Sequence, residues 1–360
     1  MELAKIDPNF APEKTEKALR FYPVPGEPFR VEGLLYNETD GFHRLPRELA
    51  VSVSEGVGNL YRRCAGGRLH FCTDSASVTL HCTLTHLGHS THMAALNYAG
   101  FDLYFRNADG KWQYRNAFRP ENNTEEEETM TVSFPEKEMR ELLIEFPNYG
   151  HIHTLEVGLE PEASLLPAPD YPNPGRIVFY GSSITQGACA TRPGNSYEAM
   201  LCRELDIDYL NLGLSGNAKA EIPIVEYIAK LPMRVLVMDY DHNTPDPEYL
   251  ALTHPRMYHM IREARPELPI VMATAPKPHL TEVFRKRREV IMNTYCSAVE
   301  AGDKRVWFVD GSAMFPPDAA ESCLIDLAHP SDLGFWFMSR AFLRPVSEAL
   351  QCSKNANSPF

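Results

Sequence analysis

From about Phe21 to Glu160, apolar and polar residues alternate in short stretches such as Arg68-Leu-His-Phe-Cys-Thr and Ser77-Val-Thr-Leu-His-Cys-Thr-Leu, broken by clusters of Gly, Asn and Asp. A period of two turns successive side chains to opposite faces, so this region predicts the half-buried strands of an all-β, jelly-roll-like sandwich. Beyond residue 176 the pattern changes to unbroken apolar runs: Ile177-Val-Phe-Tyr, Tyr209-Leu-Asn-Leu, Val235-Leu-Val-Met, Ile270-Val-Met-Ala and Val306-Trp-Phe-Val. Runs of this kind are strands buried on both faces. They alternate with helical patterns near 196–205, 219–230, 247–265, 281–301 and 331–350, which predicts a three-layer α/β/α domain around a parallel sheet. Pro345 is expected to kink or end the last helix, because proline lacks an N–H and clashes with the preceding turn.

Between the two textures, residues 161–176 carry five prolines, which suit an extended connector. The expected division is therefore 1–165 for the sandwich, 166–352 for the α/β domain and 353–360 for a frayed tail. There is no internal repeat, and Glu125 to Glu128 predicts a solvated loop because four like charges repel. Composition changes this picture little: 44% hydrophobic and 23% charged residues over 360 positions are those of a soluble globular chain. A net charge of −13 excludes a protein built to hold nucleic acid, which needs a basic surface. The start, MELAKIDPNFAPEK, has no basic segment followed by an apolar one, and no apolar run reaches membrane-spanning length, so a cytoplasmic protein without a membrane partner is expected. Eight singly spaced cysteines read as thiols.

In an open parallel sheet, ligands bind beyond the carboxyl ends of the strands, so the residues after the apolar runs carry the candidate chemistry. Gly181-Ser182-Ser183-Ile184-Thr185-Gln186-Gly187 follows the first run and sets Ser183 on a turn, although glycine and serine also suit any tight turn. The second run leads to Gly216, where the backbone can approach a ligand closely and donate its N–H. After the third comes Asp239-Tyr-Asp-His-Asn243, where the Asn243 carboxamide is the candidate donor and His242 a candidate substrate contact. Before the last helix, Asp326-Leu-Ala-His329 can set a carboxylate against one imidazole nitrogen while the other faces a serine. A serine hydroxyl needs such a base to become a nucleophile, and the set requires no metal or organic cofactor. The G-x-S-x-G elbow of α/β-hydrolases is missing, with Thr185 where it wants glycine.

Taken in order, these four segments resemble the four blocks of SGNH hydrolases, the GDSL esterases and lipases, over residues 176 to 350. Two positions depart from that pattern: Ser182 stands where the family has aspartate, and Tyr-Asp-His-Asn stands for its Gly-x-Asn-Asp block. The resemblance implies a flavodoxin-like fold, Ser183, Asp326 and His329 as catalytic residues, and an oxyanion hole from the Ser183 and Gly216 amides with Asn243. Gly100-Phe-Asp-Leu-Tyr104 is similar to the Gly-x-Asp-Leu-Tyr signature of the sandwich that precedes some of these enzymes, and the whole resembles bacterial carbohydrate O-acetyl esterases. It implies an esterase acting on acetylated hemicellulose oligosaccharides such as xylo- or manno-oligosaccharides, with a small-molecule or oligosaccharide ester as its partner and a homo-oligomer left open. A lipid esterase or thioesterase, or a glycan-binding protein without catalysis, are the alternatives.

Other residues carry weaker signals. His81, His86, His89 and His92 with Cys82 invite a metal reading, but strand, loop and strand do not converge four ligands, and no metal is expected. Arg192, in a turn-rich loop after the nucleophile, is a candidate substrate contact with a purely structural loop as the equal alternative. Trp336 could stack on a sugar, although core packing is the commoner role for it and for Phe335. Asp102 and Tyr104 share one strand face and are expected to be structural or to dock the domains.

Overall fold

The computed structural model describes residues 5–7, 11, 13, 18–85, 90–120 and 127–355. The chain divides into two compact units, each drawn from several stretches of sequence. The first holds residues up to Arg44, Arg62–Asp170 and Thr191–Gly194; the second holds Leu45–Tyr61, Tyr171–Ala190 and the residues from Asn195 on. No helix among the described residues is long and apolar enough to cross a membrane.

The first unit is antiparallel β-structure. Arg20–Val24, His151–Leu159, Ser77–Thr85 and Glu127–Ser133 form one sheet in that order. A second sheet runs Leu165–Pro167, Arg68–Thr73, Arg140–Glu145, Phe101–Arg106, Trp112–Phe118, and Arg30–Glu32 also pairs with Arg68–Thr73. The alternation is visible in Ser77–Thr85, where Val78, Leu80, Cys82 and Leu84 are fully buried and the intervening residues face the other way. Two expectations change here. Leu165–Pro167, in the stretch read as connector, is a short edge strand, a place where proline's missing N–H is tolerated. Glu127 and Glu128 open a strand, and Glu128 is buried; pairing with Ser77–Thr85 overrides the charge repulsion. Glu125 and Glu126 lie outside the described residues.

In the second unit, β1 (Asn173–Gly181), β2 (Ile207–Gly213), β3 (Val235–Asp239), β4 (Ile270–Ala273) and β5 (Val306–Val309) form a parallel sheet ordered β2-β1-β3-β4-β5. Helices α1 (Tyr197–Leu205), α2 (Ile222–Lys230), α3 (Pro247–Ala264), α4 (Glu282–Glu300) and α5 (Asp332–Asn355) cover it. Because both faces are buried, alternate residues of one strand enter different cores. Val178 and Tyr180 join Leu212, Met238 and the inner faces of α2, α3 and α4, while Ile177 and Phe179 join Val237 and the apolar faces of α1 and α5. Ala50 and Val57, from the short helices Arg47–Val53 and Glu55–Leu60, enter the first of these cores together with the flanking Leu45 and Tyr61. A cut at residue 165 assigns those helices to the sandwich; their apolar stripe belongs instead with the parallel sheet.

Helix α5 runs through Pro345 to Asn355 and does not end there. An internal proline costs about 3 kcal/mol, but Phe335, Met338, Phe342, Val346, Ala349 and Leu350 are buried on one side of this helix. At about 1.5–3 kcal/mol for each large apolar side chain, the stripe outweighs the lost hydrogen bond. At α2 the helix begins at Ile222, three residues later than its pattern suggests, because Ala220 is left-handed at φ 53° and Pro223 suits a first turn.

Candidate active site

Strands β2 and β3 flank β1 on opposite sides, and the helices that lead to them, α1 and α2, lie on opposite faces. The carboxyl end of β1 is thus the point where the winding reverses and a crevice opens. Ser183 follows that end directly. Its turn is held by hydrogen bonds from Gln186 N to Ser182 O (3.0 Å) and from Ala188 N to Ser183 O (2.9 Å). It also crosses β1 and β2 too closely for side chains. A Cβ on Gly181 would stand 1.9 Å from Thr185 Oγ1, and one on Gly213 would stand 2.2 Å from the backbone nitrogen of Gln186.

The loop before α5 brings an acid and a base to this serine. Ser183 Oγ lies 2.9 Å from His329 Nε2, and His329 Nδ1 lies 2.8 Å from Asp326 Oδ2. An ionised carboxylate only accepts, so Nδ1 carries the ring proton and Nε2 is free to accept from the hydroxyl. Asp326 Oδ1 accepts from the backbone N–H groups of Ala328 (2.7 Å) and His329 (2.6 Å). Partial burial opposes ionisation, but the His329 side-chain bond and these two N–H donors prevail and hold the Asp326 carboxyl down at about 2. The carboxylate is ionised throughout the neutral range.

Beneath the turn lies a buried polar layer that the sequence reading did not single out. Asp239 Oδ2 accepts from Tyr197 (2.9 Å) and Thr185 (3.2 Å), and burial followed by the nearby Asp241 pushes the Asp239 carboxyl up to about 8. The Asn211 side chain donates to Thr185 O and to Glu198 Oε1, each at 2.6 Å, and accepts from Gly213 N at 2.8 Å. Gln186 Oε1 accepts from Ser215 N at 3.1 Å. A polar residue inside an apolar run, as at Asn211, or directly after one, as at Asp239, was the available signal: a buried polar group is kept where it has partners.

The other strand ends carry the remaining candidates. Gly216 is left-handed (φ 70°), is exposed and would meet nothing through a Cβ, so backbone conformation and not crowding selects glycine there. Asn243 closes a short 3-10 turn, Asp241–Asn243, and its Oδ1 accepts from Ala218 N at 3.4 Å, which links it to the Gly216 loop. The Arg287 guanidinium donates to the carbonyl oxygens of Asp241 and Thr244 and steadies that turn. His242 stands against the Phe284 ring (centroids 5.3 Å), and burial, followed by the charge of Lys277, pushes it down to about 3.

Arg192 belongs to the first unit. Its Nη1 donates to Asp102 Oδ2 (2.6 Å) and Tyr104 Oη (2.7 Å), and its guanidinium lies 3.8 Å from the Tyr114 ring centre. Burial works against this charge, yet Asp102 and Tyr104 raise the guanidinium above its ordinary value. Asp102 Oδ2 also accepts from Gly194 N at 2.8 Å. Arg192 is therefore placed as a structural partner of Asp102 and Tyr104. Phe335 is core, but Trp336 is 47% exposed with Arg340 over its ring at 5.9 Å. His81 and Cys82 lie on opposite strand faces; His81 Nδ1 contacts Thr129 Oγ1 at 3.0 Å, His92 Nδ1 contacts Ser90 Oγ at 2.7 Å, and Cys82 is buried. His86 and His89 lie outside the described residues. All eight cysteines are free thiols.

Residues 175–346 match the GDSL-like Lipase/Acylhydrolase family, and residues 19–165 match the N-terminus of the SGNH_hydro-type esterases. The chain is a carboxylic ester hydrolase. More narrowly, it carries a GDSL-like lipase/acylhydrolase domain preceded by the Gly-x-Asp-Leu-Tyr N-terminal domain of SGNH-type esterases. Among solved structures it is similar to a Bacteroides ovatus ATCC 8483 protein described as a GDSL-like lipase, at 25% identity and TM-score 0.83 over 93% of this chain and 98% of that one. The same fold is found in the salicylyl-acyltransferase SsfX3 of a tetracycline biosynthetic pathway (18% identity, TM-score 0.76, 92% and 97% covered). It recurs in an acetyl xylan esterase, Est2A, from Butyrivibrio proteoclasticus (13%, 0.57, 93% and 100%). No curated protein matches the chain.

Proposed function

We propose that this esterase removes O-acetyl groups from carbohydrates, most specifically from short acetylated xylo- or manno-oligosaccharides, through an acyl-enzyme on Ser183. The observation that carries the reading is the hydrogen-bonded sequence Ser183, His329, Asp326 at 2.9 and 2.8 Å. His329 Nε2 takes the hydroxyl proton as Oγ bonds to the acetyl carbon, and Asp326 balances the charge gained by the ring. The Ser183 and Gly216 amides with the Asn243 side chain receive the oxyanion. On collapse, the sugar oxygen leaves with the proton from His329. Water then gives a proton to His329 as its oxygen attacks the acyl carbon, and Ser183 recovers that proton as acetate departs.

The sugar part of the proposal draws on the acetyl xylan esterase among the structural relatives and on Trp336, exposed in the first turns of α5, as a face for a pyranose ring. The test is acetate release from 4-nitrophenyl acetate and from acetylated oligosaccharides by the native protein and by Ser183→Ala. Removing a serine nucleophile lowers kcat by about 10⁶, so both activities should vanish. Unchanged turnover by the variant would reject the site, and aryl ester cleavage without oligosaccharide deacetylation would reject the sugar. The same acyl-enzyme could pass its acyl group to an alcohol, the chemistry in the name of the salicylyl-acyltransferase. Nitrophenol release that exceeds acetate release when an alcohol is supplied would select that reading.

A further inference from the structure

The Asp326–His329 loop is ordered from within and is also reached from outside. Ile325 N donates to His329 O, Leu324 bridges Pro330, and Asp326 caps two of the loop's own N–H groups. These bonds fix Asp326 relative to His329, and the 2.9 Å contact of His329 Nε2 with Ser183 Oγ joins the pair to the serine. At its tip, Leu327 is 89% exposed and Ile325 is 49% exposed. From the loop after β4, Lys277 reaches across. Its Nζ donates to the carbonyl oxygen of Leu327, midway between Asp326 and His329, and sits 4.7 Å from the centre of the Phe284 ring. The residue is 7% exposed.

We infer that Lys277 is a positioning residue of the esterase reaction, a buried ammonium that holds the Asp326–His329 loop by its main chain so that His329 Nε2 stays within reach of Ser183 Oγ. The chemistry fits the task. A hydrogen bond from a charged donor is stronger than a neutral one, and a carbonyl is the one acceptor of Leu327 that no side-chain movement can withdraw. The Phe284 ring face stabilises the cation and limits where its head can lie. Placed outside the triad, the ammonium touches no reacting atom. Its effect should therefore fall on the fraction of encounters with a competent geometry and not on substrate binding. Displacement of a catalytic group by about 1 Å can cost a hundredfold in rate.

The inference rests on the triad reading above, and the experiment separates the two. Lys277→Met, Lys277→Gln and Lys277→Arg are compared with the native protein and Ser183→Ala on 4-nitrophenyl acetate, with active sites counted by stoichiometric labelling with diethyl 4-nitrophenyl phosphate. Lys277→Met should lower kcat per titrated site by on the order of tenfold to a hundredfold with KM within about twofold, Lys277→Arg should restore most of it, and Lys277→Gln should fall between. A purely structural role would reduce the number of titratable sites while leaving kcat per site unchanged, so a Lys277→Met kcat per site within twofold of native overturns the proposal, as does an equal loss in Lys277→Arg. If Ser183→Ala turns over normally, the triad reading fails instead.

Discussion

His254 offers a measurement of what burial does to a titratable ring in this fold. It lies in α3, 1% exposed, stacked on Tyr240 with centroids 5.7 Å apart and planes 17° apart, and neither ring nitrogen has a hydrogen-bond partner among the described residues. Burial pushes it from the ordinary 6.5 down to about 3. Unfolding frees the ring to take up a proton, so the native state loses stability as pH falls below 6.5, and the effect is absent above it. At pH 5 the unfolded ring is almost wholly protonated and the folded one is not, which amounts to about 2 kcal/mol. The sign differs at Asp239: its carboxyl is raised to about 8, so the folded state binds the extra proton and gains stability as pH falls. A variant is therefore needed to isolate the ring. His254→Leu keeps similar volume and removes both unpartnered nitrogens, whose desolvation costs about 1–3 kcal/mol each. In urea unfolding at pH 7.5 and 5.0, the native protein should lose about 2 kcal/mol more than the variant between the two pH values. The variant should also be at least as stable at pH 7.5. Equal losses in the two proteins, within about 0.5 kcal/mol, would refute the argument that burial holds this ring neutral.

Two further predictions follow from single contacts. With Asn243 as the proposed oxyanion donor, Asn243→Ala should lower kcat on 4-nitrophenyl acetate by about 10²–10³ with little change in KM; a drop confined to KM would place Asn243 in substrate binding. Arg192→Ala removes the guanidinium paired with the fully buried Asp102 and should lower stability by about 3 kcal/mol, read as a shift in the urea midpoint, whereas a loss under about 1 kcal/mol would mean that other donors or water replace the guanidinium.

Much of the second unit was legible because its signals are local or strictly ordered. The five apolar runs became the five parallel strands, and Ser183, Asp326 and His329, read from a turn, a three-residue offset and their order along the chain, lie within hydrogen-bond reach of one another. Residues that act through distant partners were not legible. Lys277 and Arg287 look like ordinary surface cations in sequence, yet each is buried with its donors on the main chain of a strand-end loop. Arg192, close after Ser183, read equally as a substrate contact or as part of a structural loop, because its partner is 90 residues away in the chain. The path of α5 through Pro345 was hidden for another reason: propensity is a local penalty, and the burial that overcomes it is tertiary.

What the sequence determined by itself is periodicity and chemistry. Alternation at two and unbroken apolar runs dictate which segments become half-buried and fully buried strands, and the side-chain types at the strand ends dictate which reactions are available. Tertiary structure decided everything that depends on which surfaces meet. It joined Leu45–Tyr61 to the parallel sheet and not to the sandwich beside it in sequence. It also buried Asp239 and Asn211 with partners beneath the Ser183 turn and set Lys277 against the carbonyl of Leu327. The physical reason is common to all three. Burial and hydrogen bonding take their value from the partner brought up by the fold, and no residue carries that partner's position in its own neighbourhood.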